Sequence, residues 1–149
     1  MKNIWIVLLV MVFNSCSQDQ LLNDLSKCTP FTTLTALHYD SLKNDPIHVE
    51  TIEIVDNCLR VKVSYSGCTT DHPVQLVQFL PLCLTPPEQA PYFEIRHDSR
   101  NEFCKMLVYN ELYFDLSPLK NTNHKKVSFT VSWPVDMENW ESKELEYNF

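Results

Sequence analysis

Cys68, Asp71, His72, His97, Asp98 and Cys104 are six side chains able to ligate a metal, and a strand-rich fold could gather them at one end. Thiolate and imidazole suit zinc or copper, and the short gap from Cys68 to His72 lets both reach one ion from a single loop. No C-x-x-C pair accompanies them. The competing chemistry is a disulfide between Cys68 and Cys104, which would close a long loop and stabilise the chain by roughly 3 to 4 kcal/mol. That pairing is the preferred expectation, with Cys68, His72, His97 and Cys104 as the alternative metal set. A Cys-His nucleophile is a third option, since His72 or His97 would lower a nearby thiol's pKa. Lone thiols in exported chains are more often structural or oxidised, so no catalytic residue is assigned. Gly67 is the only glycine, which rules out a Gly-rich phosphate loop. The 19 acidic residues offer carboxylate pairs but single none out. No cofactor is expected.

Strands must position these groups. Leu59, Val61, Val63 and Tyr65 alternate with Arg60, Lys62 and Ser64, the period of a strand with one buried face. It runs into Ser66-Gly67, where Gly67 is expected in a backbone conformation that a Cβ would penalise. Phe93, Ile95 and His97 share one parity of a second strand, so His97 falls at the inward position, followed by the polar turn Asp98-Ser99-Arg100-Asn101. Asp56-Asn57 closes a hairpin between the loosely alternating segment after His48 and the Leu59 strand. Residues 73–80 switch parity, as at a β-bulge or in a strand buried on both faces.

Pro81, Pro86, Pro87 and Pro91 make a stiff extended connection. Phe103 to Tyr109 and Leu112 to Leu116 read as two runs separated by Asn110-Glu111, and Val127 to Trp133 as the last clean strand. The pattern predicts an all-β fold: an antiparallel β-sandwich, immunoglobulin-like, of about seven strands. Residues 46–135 form that domain. Residues 16–45 are a tether with a candidate edge strand at Thr32 to Tyr39, and residues 136–149 an acidic, aromatic tail. Trp133, Trp140, Tyr147 and Phe149 would either bind a glycan or protein ligand or pack back onto the sheet.

Targeting comes from the first residues. Lys2 precedes the uncharged apolar run Ile4 to Phe13, which is too short to span a bilayer and stops at Asn14-Ser15-Cys16. That resembles a bacterial lipoprotein signal, with residues 1–15 removed and Cys16 carrying the lipid. The net charge is −7, and loss of Lys2 makes the remainder one unit more acidic. An acidic chain has no footprint for nucleic acid and is repelled by anionic headgroups, so membrane attachment would come from the lipid on Cys16. Five other cysteines remain in a compartment that permits disulfides, which leaves the pairing of Cys28, Cys58 and Cys83 open.

The run V-S-Y-S-G-C-T-T-D-H (Val63 to His72), then R-H-D-S-R-N-E-F-C (Arg96 to Cys104) and L-Y-F-D-L-S-P-L (Leu112 to Leu119), resembles a family of small Bacteroidota lipoproteins of uncharacterised function. The family pattern is Y-S-G-G-C, a histidine, a later H-D with a cysteine, and F-D-L-S; this chain carries one glycine where the pattern has two. The resemblance covers roughly residues 50 to 133. It implies a cysteine at both Cys68 and Cys104 and brings no activity. The expected role is a lipid-anchored binding or structural module of the cell envelope, at the outer membrane and without enzymatic activity, with metal handling as the alternative.

Overall fold

Alternating apolar residues bury one face of each strand, and two such faces closed on each other give the architecture of the chain, a two-sheet β-sandwich. The computed structural model describes residues 28–80, 90–120 and 124–149. The elements are β1 (Thr29–Pro30), β2 (Thr32–Thr35), a 3-10 turn (Ala36–Ser41), β3 (His48–Val55), β4 (Cys58–Gly67), β5 (Val74–Leu80), β6 (Tyr92–His97), β7 (Met106–Asp115), a second 3-10 turn (Ser117–Lys120), β8 (Lys126–Pro134) and β9 (Trp140–Asn148). The 4-stranded sheet runs β1-β7-β4-β3 and the 5-stranded sheet β2-β5-β6-β8-β9. Three pairings are parallel, β1 with β7, β2 with β5 and β6 with β8; the others are antiparallel.

The core lies between the inner faces. Leu59, Val61, Val63 and Tyr65 of β4 meet Phe93 and Ile95 of β6, Phe129, Val131 and Trp133 of β8, and Tyr147 of β9. The parity switch in β5 is a strand buried on both faces: Leu76 joins the core cluster, whereas Val77 is buried outside it. Asp56, with φ 54°, turns the hairpin between β3 and β4.

Four sequence expectations change. Asn110-Glu111 does not divide two strands; β7 runs unbroken and pairs with β4 from Cys58↔Asp115 to Gly67↔Met106, because Asn110 fits the β-ladder opposite Val63. Residues 136–149 are not a tail, since β9 pairs with β8 along its whole length and buries Tyr147. Its period is hidden because, as an edge strand, it exposes most of its residues. The sandwich also begins before residue 46, at β1 and β2. Gly67 has no positive φ; what a Cβ there would meet is the His72 ring, with Cε1 at 2.6 Å and Nε2 at 2.9 Å. The proline-rich connection from residue 81 to 89, Cys83 and residues 1–27 with Cys16 lie outside the described residues.

Candidate functional site

The loop after β4 and the loop after β6 sit side by side at one end of the sandwich, and they bring Cys68, His72, His97 and Cys104 together. Cys68 and Cys104 form a disulfide, with Cα atoms 5.0 Å apart and a sequence separation of 36. Beneath it lie His72 and His97, both buried; His72 stacks on the Tyr65 ring at a centroid distance of 4.8 Å, and His97 packs tilted against it at 4.7 Å. Tyr65 in turn donates its hydroxyl to the Thr70 carbonyl at 3.2 Å, fixing the loop over the rings.

A single chain of hydrogen bonds runs through the histidines. His97 Nδ1 lies 3.1 Å from the Pro46 carbonyl, which can only accept, so Nδ1 carries a proton. Burial holds His97 below the ordinary imidazole range, so its Nε2 is unprotonated at neutral pH and accepts from His72 Nδ1 at 3.0 Å. His72 Nε2 faces Glu102 Oε2 at 3.0 Å. The His72 contact and then the Cys68 amide hold the Glu102 carboxyl below the usual range. Glu102 thus closes the chain of bonds that starts at the Pro46 carbonyl. Glu102 also accepts the Cys68 amide at 2.5 Å and the Thr69 amide at 3.3 Å, and thereby pins one loop to the other.

The remaining candidates have local roles. Asp71 forms an exposed ion pair with Arg100 at 3.0 Å. Asp98 accepts the Arg100 amide at 2.8 Å, at a turn whose Arg100 and Asn101 have φ 54° and 55°. Cys28 pairs with Cys58, which sequence reasoning left open.

The alternative metal set does not form a centre. Its two sulfurs are bonded to each other and its facing imidazole nitrogens to one another, so the donors a cation needs are consumed. No group of three or more His, Cys, Asp or Glu side chains placed to hold a metal occurs among the described residues. Glu102 was missed in the sequence, and its signal was weak: an acid inside the polar turn between His97 and Cys104.

A second feature was also missed. Glu94 and Arg96 lie on the outer face of the 5-stranded sheet, yet are only 4% and 3% exposed. Arg96 Nη2 contacts Glu94 Oε2 at 2.5 Å, an ion pair whose alignment falls short of a hydrogen bond. The guanidinium is roofed by Tyr39, Phe79 and Trp140, at 4.4, 5.4 and 5.5 Å from the ring centroids. The outer face of the 4-stranded sheet is the reverse, with Leu107 and Tyr109 of β7 standing 55% and 65% exposed. Beside them is a shallow hollow of about 510 Å³ lined by Pro46, His48, Ser64, Tyr65 and Tyr109 among others.

Over residues 29–147 the chain matches the family described as NigD-like C-terminal beta sandwich domain. The chain belongs to that family. Among curated proteins none matches. Solved structures share the NigD-like fold. One is a protein of Parabacteroides distasonis provisionally named as toxin-related, with 20% identity, TM-score 0.62, and coverage of 81% of this chain and 61% of that one. Another, from Bacteroides vulgatus and of unknown function, has 20% identity, TM-score 0.60, and coverage of 82% and 56%. A third is a NigD-like immunity protein from Bacteroides caccae, with 14% identity, TM-score 0.61, and coverage of 82% and 65%. The chain thus spans less than two thirds of the length of these structures.

Proposed function

We propose that this chain is a lipid-anchored binding module of the cell envelope, held at the outer membrane through Cys16, and that its ligand is a protein taken on the outer face of the 4-stranded sheet. The observation that carries the reading is the contrast between used and unused surface. The groups able to do acid-base or metal chemistry, His72, His97, Glu102, Cys68 and Cys104, are engaged with one another. Leu107, Tyr109 and Tyr113 stand together on one exposed face, and aromatic side chains of this kind anchor protein interfaces. The immunity-protein name of the Bacteroides caccae relative supports a protein ligand over a glycan. The apolar run ending at Cys16, and the resemblance to Bacteroidota lipoproteins, support the anchor. On this reading the chain is not an enzyme.

A photo-crosslinking amino acid at Tyr109, in cells, tests the ligand face. The expected result is a discrete adduct with a different protein, lost in Leu107→Asp. An adduct of equal yield from exposed Glu144 on the opposite sheet would overturn the reading. For the anchor, Cys16→Ala is expected to abolish partition into detergent; normal partition would overturn it.

A further inference from the structure

Each sheet of an open sandwich ends in two edge strands, and natural edges are blunted by charge, shortness or a bulge. Three edges here follow that rule. β3 carries Glu50, Glu53 and a register shift between Val49 and Thr51. β9 carries Glu141, Lys143, Glu144 and Glu146, and β2 is 4 residues long. The fourth does not. On the side away from β4, only Phe114 and Asp115 of β7 are covered, by β1, so among the described residues no strand lies on that side of Met106 to Tyr113. This open stretch carries one charge, Glu111, which Arg60 and Lys62 of β4 already approach at 3.7 and 3.9 Å.

The backbone direction is fixed by one bond. The Glu111 amide donates to Asn110 Oδ1 at 2.9 Å, so it points to the open side and not to β4. In an antiparallel ladder the amides alternate, so those of Leu107, Tyr109 and Tyr113 point outward as well.

We propose that this edge is an interface between two copies of the chain, β7 pairing antiparallel with β7 of a second copy in a register centred on Asn110. Pairing must set residues of the same face opposite each other, which restricts a two-fold register to one centred on a residue. Centring on Glu111 opposes two carboxylates, and centring on Tyr109 sets Leu107 against a carboxylate. Centring on Asn110 sets Leu107 against Tyr113 of the second copy, Val108 against Leu112 and Tyr109 against Glu111. It also uses the edge from Leu107 to Tyr113 and stops where β1 begins. The stretch is its own complement, which is why the occupant is a second copy. The proposal shares β7 with the binding reading but uses its edge, where that reading uses its face.

Asn110 falls on the two-fold axis at a non-hydrogen-bonded position, where Cα atoms approach to about 4.5 Å, within disulfide range. The full-length chain with Asn110→Cys, oxidised in the intact envelope, is therefore expected to give a reducible dimer at least tenfold above the unsubstituted chain. Leu107→Pro, which removes an outward amide and no bond to β4, is expected to abolish that dimer while leaving the circular dichroism unchanged. A dimer no stronger than that of Thr51→Cys on the opposite edge, or one that persists in the proline variant, overturns the pairing. The two readings fail separately. If the Asn110 crosslink is absent while Tyr109 still captures a different protein, only the pairing is lost; if both are absent, both are.

Discussion

The two outer faces of this sandwich invert each other. On the 5-stranded sheet, residues that ordinarily meet water, Glu94 and Arg96, lie buried, the Arg96 guanidinium under Tyr39, Phe79 and Trp140. On the 4-stranded sheet, residues that ordinarily avoid water, Leu107 and Tyr109, stand in it. The lesson is that strand parity assigns a face but not its cover. What lies over a face comes from elsewhere in the chain, here the 3-10 turn carrying Tyr39 and the edge strand carrying Trp140.

The largest effect is expected where the cover is complete. Arg96→Ala leaves Glu94 buried without its partner, and burial already pushes the Glu94 carboxyl up from its ordinary value. The loss expected in urea unfolding is about 3 to 5 kcal/mol. A change under about 0.5 kcal/mol, the range of ordinary surface substitutions, would mean the face is open to water after all.

Between the two faces lies the end where their loops meet. Replacing Cys68 and Cys104 by serine is expected to cost roughly 3 to 4 kcal/mol, set by the loop the bridge closes and read from the same unfolding curves. The histidines beneath it give a pH signature. Burial places the folded pKa of His97 below the unfolded value of about 6.5. As pH falls below that value the unfolded chain takes up a proton that the folded chain refuses. The His97 contribution is therefore fully present above about pH 6.5 and is lost as pH falls towards the folded value. Glu102, also lowered, adds to the acid loss from about pH 4.5 downward. Thermal denaturation from pH 7.5 to 5 is expected to show this slope in the native chain and a flatter one in His97→Gln.

The smallest effect belongs to the bare face. Tyr109→Ser is expected to change stability by less than about 0.5 kcal/mol while abolishing capture at that face. A large loss of stability would show Tyr109 to be part of the fold and not of a binding surface.

Much of the fold was legible because period-2 alternation is strong wherever one face is buried. β4, β6 and β8 are read directly from Leu59, Phe93 and Phe129 and their alternate neighbours. β9 was not, because Glu141 to Glu144 of this edge strand are exposed on both faces and leave no alternation to display. Nor does any local pattern distinguish one ten-residue strand from two short ones at Asn110-Glu111; the ladder with β4 does. At the candidate site, spacing suggested which residues would meet, but not that Glu102 would terminate their chain of bonds. The partner of Arg96 was present two residues away as Glu94, but its aromatic roof comes from positions far apart in the sequence.

The bond between Cys28 and Cys58 has a mechanical consequence. Cys28 stands at the start of the described chain and Cys58 opens β4, which is gripped on one side by β7 and on the other by β3. A pull arriving from the N-terminal side crosses that bridge and enters β4 directly. Residues 29–57, with β1, β2 and β3, hang outside the load path as a slack loop. Tension on a tether would therefore be resisted by the shear of β4 against its long neighbour β7, and the short strands would not be peeled away one by one.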